Sequence, residues 1–190
     1  TKLNKVINQI KGGGTPSKKK PSYWNGNIPW ATVKDLTKSF LSSTQEHITE
    51  EGLTDSSTNL IPANTLILAT RMAVGKPVIF NKSVAINQDL KAIFPKNIIK
   101  TYFLFYWFVF NQPAIENQGS GSTVKGIRLE LLKELTIPVP PINEQQKIAS
   151  ILSTVDEKLE NLHNRKEQYE QLKKGLMQKL LTGKIRVKVN

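Results

Sequence analysis

From Ile148 onward the apolar residues fall on one line: Leu152, Val155, Leu159, Leu162, Lys166, Tyr169, Lys173, Leu176 and Leu180 follow at alternating spacings of four and three. Eight of these ten positions are apolar or aromatic. A 3.5-residue period kept up over several heptads without a proline is the pattern of a coiled coil. At 1.5 Å per residue, a helix over residues 143–181 is about 57 Å long, well beyond the span of a globular domain of roughly 140 residues. Most of such a helix must pack against another one. Gly175 is its weak point, costing about 1 kcal/mol relative to alanine, so the helix bends there or something packs closely against it.

Upstream the pattern changes to that of a mixed α/β domain. Short β-branched and leucine-rich runs predict strands at residues 28–33, 65–69, 77–80 and 84–86, with Gly75 and residues 81–83 supplying turns. Residues 98–110 predict the best helix, 50–53 a helical turn, and 128–133 a helix leading into a strand at 135–137. Ile137, Pro138, Val139, Pro140 and Pro141 cannot be helical, and Asn143 stands where an N-cap belongs, with Gln146 three residues on. At the far end Gly183 suits a left-handed C-cap, followed by a basic tail in which Lys184, Arg186 and Lys188 alternate with Ile185 and Val187. The organisation expected is therefore a globular domain at 1–141, a long helix at 142–182 and a basic tail at 183–190.

Composition narrows the class. A chain of 190 residues with 38% hydrophobic content can build one ordinary core plus an appendage. The absence of cysteine removes disulfides, thiol nucleophiles and thiolate metal sites, and points to a reducing cytoplasm. No signal peptide is visible, and the apolar run at 102–110, which stops at Asn111, Gln112 and Pro113, is about half of what a bilayer needs. It predicts a buried aromatic helix in a soluble protein with no membrane partner.

Charge points to a polyanion. Residues 1–141 carry 17 Lys or Arg against 9 Asp or Glu, and residues 142–190 carry 10 against 6, giving +8 and +4 of the total +12. Each phosphate neutralised by such an excess releases condensed counterions. The plain alternative is solubility alone. Three loops carry groups suited to DNA. In residues 12–27, Lys18, Lys19 and Lys20 can meet phosphates while Tyr23, Trp24 and Asn25 either contact sugar and base edges or anchor the loop. In residues 71–76, which also hold Lys76, Arg71 either donates two parallel bonds to guanine or forms a surface salt bridge. In residues 117–128, Gln118, Ser120, Ser122, Thr123, Lys125 and Arg128 surround three glycines, a composition suited to a phosphate backbone and shared by linkers. Asn87 and Gln88 either read adenine or satisfy local backbone.

Catalysis finds no support. His47 and His163 form no metal cluster, no glycine run precedes Lys-Ser/Thr at a phosphate-loop offset, no Asn/Asp-Pro-Pro-aromatic motif of an adenine methyltransferase occurs, and the carboxylates do not cluster as in a nuclease. A binding module remains.

An ordered set of short strings then carries a family resemblance. Gly14-Thr15-Pro16-Ser17, Tyr23-Trp24-Asn25-Gly26-Asn27-Ile28-Pro29-Trp30 and Asp35-Leu36 are followed by Gly52-Leu53 with Ser56-Ser57, Leu60-Ile61-Pro62, Asn87-Gln88-Asp89-Leu90, Gly121-Ser122-Thr123, Ile137-Pro138-Val139-Pro140-Pro141 and Glu144-Gln145. Leu172-Lys173, Leu176-Met177-Gln178 and Leu180-Leu181-Thr182-Gly183-Lys184 close the series. The chain resembles a specificity subunit of type I restriction-modification systems, over nearly its whole length. The resemblance implies an α+β fold: a mixed α/β target-recognition domain followed by a long α-helix that pairs as an antiparallel coiled coil. It implies a non-catalytic subunit reading one half of a bipartite double-stranded DNA target and docking methyltransferase subunits. S-adenosylmethionine, ATP and Mg would then belong to modification and restriction/translocase partners, with no cofactor on this chain.

A full member of that family has two recognition domains and two such helices, so this chain resembles a natural half-subunit or the C-terminal half of a longer protein. The missing initiator methionine favours an excised or trimmed piece. A homodimer, or a pair with a second half-subunit, would be held by the seam from Ile148 to Leu180. Lys166 and Lys173 at its a-type positions weaken the seam but restrict its register. Two other classes fit the residues: a stand-alone dimeric repressor, and a coiled-coil adapter whose basic faces meet acidic proteins.

Overall fold

The computed structural model describes residues 1–119 and 125–188. The chain opens with one helical turn, α1 (Leu3–Val6), and runs through β1 (Ile7–Gly12), β2 (Trp24–Ala31), β3 (Phe40–Leu41) and β4 (Glu46–Ile48). After α2 (Glu50–Thr54) come β5 (Asn59–Ile61), β6 (Leu66–Ala69), β7 (Pro77–Phe80), β8 (Val84–Ile86) and β9 (Leu90–Pro95). Three helices follow, α3 (Thr101–Asn117), α4 (Leu129–Glu134) and α5 (Ile142–Leu180).

The strands form two sheets, one ordered β1-β9-β6-β7-β3 and the other β4-β2-β8-β5. All neighbours are antiparallel except β3 with β7 and β2 with β8. Residues of both sheets share one core: Ala31, Ile61 and Ile86 of the smaller sheet cluster with Ile67, Phe80 and Ala92 of the larger. Because side chains alternate along a strand, Leu66, Leu68 and Ile79 point to the other face, where α3 packs on β6 and β7. With both faces covered, these two strands are continuously apolar, which is why their runs announce them in the sequence.

Elsewhere the expectations need correction. Strand β2 starts at Trp24 and ends at Ala31, while Val33 falls in a 3-10 turn, Val33–Asp35, capped reciprocally by Thr32 and Asp35. Residues 135–137 make no regular strand. Thr136 bridges Lys2, Leu3 N donates to the Leu135 carbonyl at 2.8 Å, and Ile137 N donates to the Thr1 carbonyl at 2.7 Å. The segment is extended because the start of the chain supplies its partners.

Helix α3 does not stop at Asn111–Pro113, and it is not buried all round. Phe103, Leu104, Phe105, Tyr106 and Phe108 face inward, yet Phe110 is 84% exposed. The helix passes Pro113, which lacks the amide that would bond the Val109 carbonyl. Its last turn is held from outside by Ile115, buried against Gly75, while within the helix Asn111 Nδ2 donates to the Trp107 carbonyl at 2.8 Å. Among the described residues no helix is long and apolar enough to cross a membrane.

The chain divides into two compact units, Thr1–Lys147 and a second beginning at Ile148. Helix α5 begins at Ile142, so Asn143, expected as its N-cap with Gln146 three residues on, lies inside the first turn, and Gln145 ties the start of the helix into the first unit. Fully buried, it accepts from Lys100 N at 2.8 Å and donates to the carbonyls of Ile98 at 3.0 Å and Pro140 at 2.8 Å. A buried amide with both ends engaged fixes geometry, since leaving its partners unpaired costs more than the bonds themselves contribute.

In the second unit, Leu152, Val155, Leu159, Leu162, Tyr169, Leu176 and Leu180 are all exposed, and Ile148 is half-buried. Lys166 pairs along the helix with Glu170 at 3.8 Å, and Lys173 is exposed. Leu172 and Met177 widen the apolar stripe near the C-terminal end. Among the described residues a Cβ on Gly175 would meet nothing within 4 Å, the helix's own neighbouring backbone aside. Gly183 takes the left-handed conformation, φ 73°, and the described part of the tail beyond it holds no strand.

Candidate nucleic-acid interface

Residues 12–27 are laid directly on the smaller sheet. A Cβ on Gly13 would run into the Ile86 carbonyl, and Gly14 N donates to that same carbonyl at 3.0 Å. Both indoles pin the loop from beneath, Trp30 Nε1 donating to the Gly14 carbonyl and Trp24 Nε1 to that of Ser17, each at 3.1 Å. The two rings meet edge to face, 5.1 Å between centroids. Lys18 Nζ stands 3.4 Å from the centre of the Trp24 ring and pairs with Glu46. An ammonium over an indole face is held by the ring quadrupole, which orders a side chain that would otherwise wander.

Tyr23, open to two readings, contact or anchor, has the surroundings of an anchor. It is 4% exposed, its hydroxyl accepts from Lys20 Nζ at 2.7 Å and donates to Asp55 Oδ2 at 3.1 Å, so it supports the loop and offers little surface for contact. That hydrogen bond raises the Lys20 pKa above its ordinary value. Trp24 is half-buried, and Lys19 is exposed.

Beside these lysines β2 carries a bulge. Trp24 and Ile28 both face Ile48 of β4, so Asn25, Gly26 and Asn27 are looped out between them. Asn25 takes the left-handed conformation, φ 61°, and both asparagines are exposed. A Cβ on Gly26 would collide with the Ile48 carbonyl, so only glycine lets the bulge close. Asn27 is a contact candidate that composition alone does not mark.

The other two loops join each other. Arg71 bridges Gly126, Ile127 N donates to the Thr70 carbonyl at 2.9 Å, and Met72 N donates to the Lys125 carbonyl at 3.0 Å. Arg71 is half exposed and pairs with Asp89, Nη1 to Oδ1 at 3.5 Å, so the salt bridge is realised while the rest of the guanidinium fork faces solvent. Lys125, Arg128 and Gln118 are exposed, and Lys76 is half-buried. Ser120, Ser122 and Thr123 lie outside the described residues.

The turn after β8 ties all three loops together. Gln88 Oε1 accepts from Thr15 Oγ1 at 2.6 Å on one side. On the other, the Asp89 carbonyl accepts from Thr70 N at 2.8 Å and Thr70 Oγ1 at 3.0 Å. Lys91 braces this turn, donating to the Gln88 carbonyl at 2.7 Å, and its partial burial lowers its pKa against the opposing pull of Asp89. Asn87 is buried and bonds within the turn, to Asp89, which is the local backbone role. The turn and the Arg71–Gly126 bridge thus link stretches that carry ammonium, guanidinium and amide donors and lie far apart in sequence. Donors of these types can hold phosphates and meet base edges.

Comparison with known proteins agrees with that chemistry. The type I restriction modification DNA specificity domain matches residues 2–171. The specificity subunit of the type I restriction enzyme MjaIX of Methanocaldococcus jannaschii is 35% identical over 175 residues, 90% of this chain and 40% of that subunit. The EcoR124I/EcoR124II specificity subunit of Escherichia coli is 37% identical over 152 residues, covering 76% of this chain and 38% of its own length. In fold, the type I restriction-modification S subunit from M. genitalium superposes with a TM-score of 0.67 at 22% identity, over 94% of this chain and 44% of its own. The chain spans about two fifths of the length of the relatives it matches. On the strength of a match over most of its residues, this chain belongs to the family of type I restriction modification DNA specificity domains.

Proposed function

We propose that this chain reads one half of a bipartite double-stranded DNA target for a type I restriction-modification complex, and that methylation and cleavage belong to partner subunits carrying S-adenosylmethionine, ATP and Mg. The observation that carries the reading is the joining of three polar, basic loops through the Gln88–Asp89 turn. In this reading Lys18, Lys19 and Lys20 neutralise phosphates, Arg71 and Asn25 reach base edges, and Lys125 and Arg128 extend the track along the backbone. Tyr23 holds Lys20 in place, and Trp24 with Glu46 holds Lys18.

The exposed stripe of α5 is proposed to pair antiparallel with the same stripe of a second copy or of another half-subunit, and the paired helices to dock methyltransferase subunits. Burial of that stripe contributes about 25 cal/mol per Å² of apolar surface removed from water. Two identical readers related by a two-fold axis would select an interrupted palindrome, whereas a mixed pair would select an asymmetric site. Selection from a random DNA pool tests the reading: the expected result is a short motif repeated across a fixed gap, bound with a salt slope that falls in the Lys18→Ala, Lys19→Ala, Lys20→Ala variant. Enrichment of no motif, or binding indifferent to salt, would overturn it.

A further inference from the structure

The connection from β6 to β7 is rigid and strained at one residue. Thr70 N donates to the Asp89 carbonyl at 2.8 Å, Met72 N to Lys125 at 3.0 Å, Gly75 N to Ala69 at 2.9 Å and Lys76 N to Ala73 at 3.0 Å. Ala73 N donates to the Arg71 carbonyl at 2.8 Å, closing a three-residue ring with Met72 at its centre. Met72 has φ 65°, so this is a γ-turn of the rare, strained hand, built on a residue with a long side chain. Most left-handed positions fall to glycine or asparagine. Among the described residues little packing compensates the strain, because Met72 is 57% exposed.

Strain held in place by surrounding hydrogen bonds and gaining no burial belongs with contacts made to something else. Its neighbours indicate what: Arg71 precedes it, and the Lys125 backbone clamps it, both within the basic track described above. We propose that Met72 is a specificity-determining residue that meets the C5-methyl group of a thymine beside the base contacted by Arg71. A thioether side chain has no donor for phosphates or base heteroatoms. The apolar feature that a base edge exposes in the major groove is the thymine methyl, which an unbranched, polarisable side chain can cover. The inference rests on the DNA-reading function proposed above.

The full chain, in its self-associated state, is bound to the motif it selects, and each thymine is replaced singly by deoxyuridine. One replacement in each half of the motif is expected to weaken binding about fourfold, the effect of leaving one methyl group in water. Met72→Ala and Met72→Gly should bind the thymine and deoxyuridine sites equally. Met72→Gly should also melt at a higher temperature than Met72→Ala, because glycine occupies φ 65° without strain, which shows that the loop is intact. If every deoxyuridine replacement is silent, or if the variants keep the wild-type discrimination, Met72 contacts no thymine and the inference fails while the reading function stands. If no motif is selected at all, both fail.

Discussion

In Thr1–Lys147 the large aliphatic side chains Leu66, Ile67, Leu68, Ile86 and Leu90 are under 2% exposed, whereas beyond Ile148 Leu159, Leu162 and Leu172 stand 57–60% in water. The residue types are the same, and only the surroundings differ. The first unit buries most of its large apolar side chains between two sheets and α3, Phe110 being an exception. The second carries a stripe that a single helix has no means to bury. One unit covers most of its large aliphatic side chains, and the other leaves them in water, which is the contrast that the proposed pairing of α5 would remove.

The strongest way to break that contrast is to remove the stripe. Leu159→Glu combined with Leu162→Glu should weaken self-association at least about a hundredfold, since each leucine kept in water forfeits about 1.5–3 kcal/mol. Sedimentation should then show a monomer whose first unit melts as before, and a dimer that survives would refute the seam. Next in size is the anchor inside the first unit. Gln145→Leu leaves the Lys100 amide and the carbonyls of Ile98 and Pro140 without their partner. Calorimetry should record a loss of about 3 kcal/mol in the first unit.

Two substitutions sharpen the contrast. Lys166→Leu with Lys173→Leu should tighten association about tenfold and admit other oligomers, seen as species beyond the dimer in sedimentation at rising concentration. Gly175→Ala should stabilise the helix by about 1 kcal/mol, because the new methyl meets none of the described residues within 4 Å. Weaker association in that variant would instead locate a partner's close approach at Gly175.

How much could be seen in advance follows the same physics. Strands β6, β7 and β8 were legible because every residue in them is buried, which leaves an unbroken apolar run. Strands β1 and β9 were not, since Ile7–Gly12 is a polar edge strand and Leu90–Pro95 contains Lys91, tolerated because its ammonium reaches back to the Gln88 carbonyl. Among the loops, the lysines and arginines stood out by charge. What those signals omit is support: that Tyr23 lies beneath Lys20, or that Arg71 meets Gly126, depends on contacts between residues far apart in sequence. Met72 escaped notice for a similar reason, as a left-handed methionine has no signature in composition.

The Gln88–Asp89 turn has a practical corollary for retargeting. Thr15 leans on one end of it, Thr70 and Arg71 on the other, and Lys91 from within. Grafting a single loop from a relative would therefore dislodge its neighbours, so new target preferences should be transplanted as an interlocked set: residues 12–27, 70–76, 87–91 and 125–128 exchanged together or not at all.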